Sequence, residues 1–457
     1  MDAEPARPSG PGLARILPLA PHHSAVIGGG ISGLASAFHL AEKGHQVTLF
    51  EGEDILGGLG TTFPYRGGHL ERFYHCILPE DRALLALIKA VGLEGDLLWR
   101  GTDMGFMYRG RVRSLNTAMD LLTFSPLPFV DRIRMGLLGI EARRNGLDPR
   151  LDHLAVDEWI RRHVGERAFK IVWEPLLMAK IGDGYTGIPA LWLSSRMARE
   201  KNTKREMKGC LTRGYRSLID AFEKALVDRG ASVRMRTRVS AIERDGERMA
   251  LALEDGTRAS FDTVVSSSPL TQFQQMTRGL GLPPAVADLK LDYQGVVCGV
   301  FLLEQPLSRY YWMPLVDSGA TAQGIIEMSN LVPLDRSDGR YVTYLINYTH
   351  RSSPLYAKSD AEIAATYERD LARLFPQAGR SVVDRFVFRA PFVEPIWPLG
   401  YRDLCPPSSV IPGRLYLANT AQVYPRVNSW NSCCEVVEAM MPRLFDEVAA
   451  TAAGARG

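Results

Sequence analysis

Residues 24–51 read SAVIGGGISGLASAFHLAEKGHQVTLFE, and this stretch decides the fold. Ala25-Val26-Ile27 is a short apolar run of the kind a buried parallel strand needs. Gly28, Gly30 and Gly33 follow with G-x-G-x-x-G spacing. Leu34, Phe38, Leu40 and Ala41 then carry the apolar side of a helix that stops at Lys43-Gly44. Gln46 to Phe50 is the next strand, and Glu51 closes it. Gly28 permits the sharp turn out of the first strand, Gly30 lets the backbone approach a pyrophosphate, and Gly33 lets helix and strand pack closely. The helix N-terminus offers unpaired N–H groups and the positive end of its dipole to the phosphates. Glu51 stands where a carboxylate accepts the hydroxyls of an adenosine ribose. A bare G-x-G-x-x-G also fits a glycine turn with no ligand, but strand, turn, helix, strand and acid together point to a dinucleotide.

A second glycine pair, Gly57-Gly58 in EDILGGLGTTF, selects among dinucleotides. It resembles the second glycine pair of FAD enzymes in the amine oxidase, protoporphyrinogen oxidase and phytoene desaturase superfamily. Ile55 and Leu56 stand where that family often has an arginine. The resemblance runs from Ser24 to Met441 and is carried by ERFYHCI (71–77), VWEPLLMAKIGD (172–183), YQGVVC (293–298) and YLANTAQVYP (416–425). Within the superfamily it is similar to a bacterial protoporphyrinogen-oxidase-like subgroup.

That resemblance implies an α/β fold in which a split Rossmann-type FAD-binding domain carries an α+β substrate domain of antiparallel sheet and helices. Its FAD-binding parts are expected at 22–75, 205–269 and 410–450, and the substrate parts at 76–204 and 270–409. It also implies that FAD is held by Gly28, Gly30, Ile31, Ser32, Gly33 and Glu51, by Gly57, Gly58 and Leu59, by the Val239 backbone at the adenine, and by Asn419. Asn431-Ser432 is expected to cap the closing helix, with Cys433 beside it, so that the helix N-terminus meets the flavin pyrimidine ring. Asn419 replaces a usual glycine, Thr420 a usual acid and Val437 a small residue; asparagine tolerates the left-handed backbone such a turn requires.

The chemistry the family implies is transfer of a hydride to flavin N5 from a hydrophobic or lipid-like substrate, leaving a C=C or C=N product, with oxygen or a quinone as electron acceptor. His75, in ERFYHCI, is the candidate catalytic residue, since a near-neutral imidazole can hold or release a proton; a purely structural histidine is the alternative. Two rivals share the fold: a redox-neutral flavoenzyme of the galactopyranose mutase type acting on a sugar, and a non-catalytic lipid-binding carrier like the GDP-dissociation inhibitors. There is no second G-x-G-x-x-G unit for a nicotinamide.

Composition bounds the rest. The chain has 457 residues, 46% hydrophobic and 23% charged, enough for two domains with sizeable cores. A net charge of +3 gives no reason to expect a nucleic-acid partner. The six cysteines form no C-x-x-C pair and read as reduced thiols of a cytoplasmic protein, with no metal site. Residues 1–21, rich in Pro, Ala, Gly and Arg, read as a disordered tail. No run of 18 apolar residues exists to span a bilayer.

Along the remaining chain, Arg66-Gly67-Gly68, Arg109-Gly110, Asp245-Gly246 and Asp255-Gly256 predict hairpins. The segment 118–144, AMDLLTFSPLPFVDRIRMGLLGIEARR, predicts two helices broken at Pro126 and Pro128. Its mixture of apolar residues and arginines suits either two core helices, the favoured expectation, or a peripheral contact with an anionic membrane. REKNTKREMK (199–208) is expected as an exposed basic turn. Aromatic strands at 310–312 and 341–348 are expected in the substrate domain, as core or as pocket lining.

Overall fold

A computed structural model describes residues 22–199 and 206–454. The expected tail, 1–21, lies outside the described residues, as does the middle of the basic stretch, 200–205.

The quoted stretch forms strand His23–Ile27, helix Ile31–Glu42 and strand Gln46–Phe50. His23–Ile27 is central in a six-stranded sheet. On one side it pairs in parallel with Gln46–Phe50, which pairs in parallel with Ser232–Arg234. On the other it pairs in parallel with Thr263–Ser266, then Leu415–Leu417, with antiparallel Ser409–Ile411 at the edge. Strands from three separate parts of the chain therefore build one doubly covered sheet, which is why the central strands are continuous apolar runs. A three-stranded meander, Val239–Asp245, Arg248–Leu253 and Arg258–Phe261, is inserted before Thr263 through the two expected Asp-Gly turns.

The second layer is a seven-stranded sheet ordered Val382–Ile396, Asp292–Leu303, Tyr341–Thr349, Gly324–Glu327, Trp312–Val316, Gly105–Tyr108, Arg111–Ser114. It is antiparallel except where Trp312–Val316 meets Gly105–Tyr108. Helix Asp360–Leu374, closed by the Ser359/Glu362 capping box, lays Ile363, Tyr367 and Leu371 on it. The chain also forms the hairpin Thr62–Tyr65/Gly68–Glu71 and a helical block from Phe129 to Arg199.

Several expectations need correcting. Glu206, Met207 and Lys208 are not in an exposed turn. They begin strand Glu206–Leu211, paired with Leu97–Thr102, so backbone pairing outweighs the local charge. Strand Ser232–Arg234 is short, and a left-handed Arg236 separates it from the meander. Helix Val156–Val164 stops where Gly165 takes φ +82, and a π-turn at Phe169–Trp173 leads into helix Glu174–Ile181. Helices Ala118–Leu122 and Phe129–Asn145 form as expected, but not as core helices. Only Asp131, Leu138 and Ala142 of the second are buried, while Phe129, Val130, Ile133, Leu137 and Ile140 stand exposed.

Candidate functional site

The glycine turn lies at the carboxyl ends of the parallel strands, the edge at which doubly wound sheets bind ligands. Gly28 has φ +98, and its N–H donates to Phe50 O at 2.8 Å, tying the turn to the neighbouring strand. Ser267 Oγ donates to Ile27 O and Gly28 O from the other side. The three motif glycines differ in what surrounds them. A Cβ on Gly33 would lie 1.8 Å from Gly28 O, so close backbone packing demands glycine. A Cβ on Gly30 would meet nothing nearer than Gly58 Cα at 3.9 Å. Gly30 thus borders open space, at the N-cap of helix Ile31–Glu42, with no side chain capping its amides. This is an open cradle that a side chain on Gly30 would enter.

Gly57 and Gly58 form the opposite wall. Both have positive φ, and Gly57 N–H donates to Gly29 O at 2.8 Å, so the two glycine loops stack. Leu56, where the family often has arginine, is buried against Gly29, while Leu59 packs towards the antiparallel sheet. Glu51 reaches back into the turn. Its Oε2 accepts from Gly29 N–H at 2.7 Å and its Oε1 from Glu53 N–H at 2.8 Å. Each oxygen keeps acceptor capacity for a hydroxyl. Val239 is buried at the start of the meander, close to this acid, because Thr237 N–H donates to Glu51 O. Ile31 and Ser32 are buried in the first helical turn.

The closing helix, Trp430–Gly454, starts earlier than expected and is capped differently. Ser432 N–H donates to Ser429 Oγ, and Ser429 N–H donates to Ser432 Oγ, so Ser429 is the cap rather than Asn431-Ser432. Asn431 instead accepts from Leu84 N–H at 3.1 Å, anchoring the neighbouring helix Arg82–Ala90. The Trp430 ring lies on Gly60, where a Cβ would fall 2.0 Å from Cζ2. Cys433 is buried, its Sγ donates to Asn428 Oδ1, and burial pushes its thiol up to about 11. It is a protonated thiol at neutral pH.

Asn419 does not adopt the left-handed backbone its glycine relatives suggest. At φ −137 it is extended, and it replaces the glycine by hydrogen bonding. Its Oδ1 accepts from Ala421 N–H, its Nδ2 donates to Ser268 O at 2.7 Å, and Gln422 completes a capping box. The side chain thereby joins the ends of two parallel strands. Val437 is fully buried in the closing helix.

His75 stands in an aromatic box, 5.3 Å from the Tyr215 ring and 5.7 Å from the Trp430 ring. Its Nδ1 lies 3.0 Å from Phe73 O. A carbonyl only accepts, so Nδ1 carries the proton and Nε2 keeps its lone pair. Burial lowers the His75 pKa, which favours this neutral form.

The sequence reading missed the polar groups that brace this stretch. Glu71 accepts from Tyr215 N–H and forms a buried ion pair with Arg336 at 2.7 Å. Tyr74 and Tyr348 share a hydroxyl–hydroxyl hydrogen bond of 2.7 Å. The ammonium of Lys180 sits 4.0 Å over the Tyr348 ring and 2.9 Å from Glu394 Oε2. Glu394 is 1% exposed, and its Oε1 has no hydrogen-bond partner among the described residues. Asn428 donates from Nδ2 to Val393 O, next to Glu394 in sequence, and accepts from Cys433 Sγ, so this wall adjoins the N-terminus of the closing helix. One local signal existed: Lys180 interrupts an apolar helical run, EPLLMAKI. Of the aromatic strand residues, Tyr348 joins this wall, whereas Tyr311 and Tyr344 belong to the core.

Comparison with known proteins agrees with this geometry. The family model described as flavin containing amine oxidoreductase matches residues 31–427. A probable zeta-carotene desaturase of Synechococcus elongatus is 29% identical over 178 residues, covering 34% of this chain and 37% of that protein. Coproporphyrinogen III oxidase of Bacillus subtilis is 25% identical over 325 residues, 61% of this chain and 66% of that protein. The matched stretches thus span less than two thirds of both relatives. Among solved structures, a putative protoporphyrinogen oxidase from Exiguobacterium superposes with a TM-score of 0.73 at 19% identity, over 94% of this chain and 99% of the other.

Proposed function

The chain belongs to the flavin-containing amine oxidoreductases, and we propose that it is an FAD-dependent oxidase or desaturase acting on a hydrophobic or lipid-like substrate. When bound, FAD supplies the two-electron acceptor that takes a hydride at N5 and leaves a C=C or C=N product.

The observation that carries this reading is the open cradle between Gly30 and Gly58 at the capless N-terminus of helix Ile31–Glu42. The amides of Ile31, Ser32 and Gly33 hold the pyrophosphate there, and Glu51 takes the ribose hydroxyls. The backbone at Val239 holds the adenine, and Gly57, Gly58 and Leu59 pass under the flavin half. The N-terminal turn of the closing helix, with Asn431, Ser432 and Cys433, and the Asn419 junction complete the site; helix N–H groups there stabilise negative charge. In this reading the cofactor is held without a covalent link.

His75 holds the mobile proton. Its Nε2 lone pair accepts a proton as the substrate loses hydride, and the Phe73 carbonyl fixes the ring. Phe73, Tyr74 and Tyr348 keep the approach apolar and exclude water. The names of the desaturase and the coproporphyrinogen oxidase support a large, largely apolar substrate. Oxygen or a quinone is the electron acceptor in this reading, and a cytoplasmic location suits six cysteines that are all free. No helix among the described residues is long and apolar enough to cross a membrane.

The test is spectroscopic. The purified protein is expected to be yellow and to release all its flavin into the supernatant on acid precipitation. Anaerobic additions of isoprenoid, porphyrinogen and amine candidates are expected to find one that bleaches the flavin. NADPH alone is expected not to do so. Rapid bleaching by NADPH, with no organic substrate active, would overturn the reading in favour of a redox-neutral, mutase-like enzyme.

A further inference from the structure

Of the twelve large apolar side chains that stand exposed among the described residues, eight lie between Met119 and Leu147. Scattered exposed leucines are ordinary, but a contiguous patch marks a contact surface. Helix Phe129–Asn145 is turned inside out for water. Its buried side holds the acid Asp131, bonded to Arg167 Nε at 2.6 Å, whereas Phe129 is 62% exposed and Leu137 57%. Phe129, Ile133, Leu137 and Ile140 recur at spacings of four, four and three residues, one stripe of an α-helix. Val130 borders that stripe. Met119, on the preceding short helix, and Leu147, just past the end, prolong it at 65% and 68% exposure.

The rim of the stripe is basic. The helix carries Arg132, Arg134, Arg143 and Arg144 against two acids, and one of those, Asp131, is buried. Arg132 is held at the rim by donating to Leu122 O and Leu127 O, which also locks the two helices together. The surface is therefore an exposed helical ridge with an apolar crest and basic flanks.

We propose that this ridge docks on an anionic lipid bilayer, the apolar crest entering the headgroup–acyl boundary and the arginines meeting lipid phosphates. A face of this depth, about 5–10 Å, needs no spanning helix. The ridge is mechanically joined to the flavin end. Behind it lies helix Ala190–Arg199, where Ser194 Oγ donates to Gly146 O at 2.8 Å and Ser195 Oγ donates to Pro425 O at 2.6 Å, just ahead of the closing helix. A lipid-soluble substrate would thus meet the enzyme on the side the bilayer holds.

The experiment floats the FAD-loaded full chain with vesicles of equal parts phosphatidylglycerol and phosphatidylcholine, and with pure phosphatidylcholine. The parent is expected to float with the anionic vesicles and to be released by salt. Ile133→Ser/Leu137→Ser is expected to weaken binding by about tenfold or more. Arg143→Glu/Arg144→Glu is expected to abolish the preference for anionic lipid. Both variants change exposed positions and should keep the flavin spectrum and thermal stability of the parent. A parent that ignores both vesicles overturns the proposal, as does an apolar variant that binds like the parent. A vesicle-free dimer that Ile133→Ser/Leu137→Ser splits assigns the ridge to a second copy instead. None of these outcomes bears on the redox reading, which the flavin spectrum tests separately.

Discussion

The two halves of the site are built on opposite principles. Around the glycine loops, the architecture works by leaving side chains out: at Gly33 backbone already fills the space, whereas at Gly30 the space stays open, where the proposed cofactor would lie. Along the facing wall, it works by pairing large polar side chains out of water: Lys180 with Glu394, Tyr74 with Tyr348, Glu71 with Arg336. The first half tolerates almost no substitution but carries little buried charge. The second depends on complements that must be changed together.

Substitutions sharpen that contrast. Gly33→Val is expected to have the largest effect, a chain that does not fold to soluble protein, because the clash is with the Gly28 backbone. Gly30→Val is expected to fold with unchanged circular dichroism yet purify colourless, because the added atoms enter only the cradle. If both glycine variants were folded and colourless, the distinction between packing glycine and ligand glycine would be lost.

On the polar wall, Lys180→Met leaves Glu394 buried and unpaired and is expected to cost about 4 kcal/mol in urea denaturation. The double variant Lys180→Met/Glu394→Gln is expected to recover most of that loss. Additive losses would show that the pair is not coupled. His75→Ala is expected to keep the flavin spectrum and to slow anaerobic flavin reduction by the true substrate about a hundredfold. Parent-like reduction would return His75 to a structural role.

The smallest effect concerns pH. His45 packs beside His22 behind the central strand, and burial lowers its pKa from 6.5 to about 4. The unfolded chain takes up this proton near pH 6.5 while the folded chain refuses it until about 4, so stability falls as pH drops through that window. Between pH 7 and pH 5 the expected loss is about 2 kcal/mol, and His45→Gln should flatten it. A melting temperature equally pH-dependent in that variant would locate the titration elsewhere.

The same contrast explains what the sequence made legible. The βαβ unit is local: periodicity, glycine spacing and the terminal acid fall within one short stretch, and the structure places each as expected. The wall is not local, because Lys180, Tyr348 and Glu394 come from distant segments whose own patterns announce no partner. Strand Val382–Ile396 escaped notice because Pro391 and Pro395 argue against sheet; as an edge strand it accommodates them. The inverted helix Phe129–Asn145 defeated the usual inference that apolar stripes face inward, since both of its sides carry apolar residues and only Asp131 with Arg167 marks the buried one. Asn419 shows a third limit: a family glycine was replaced by a different device, a side-chain strap, rather than by another residue in the same backbone shape.

The seating of Trp430 on Gly60 carries a consequence for biosynthesis. Central strand His23–Ile27 lacks its second neighbour until strand Thr263–Ser266 has emerged from the ribosome. The lid over the second glycine loop arrives only with the closing helix. The nascent chain therefore exposes an unfinished sheet edge until that strand has been made.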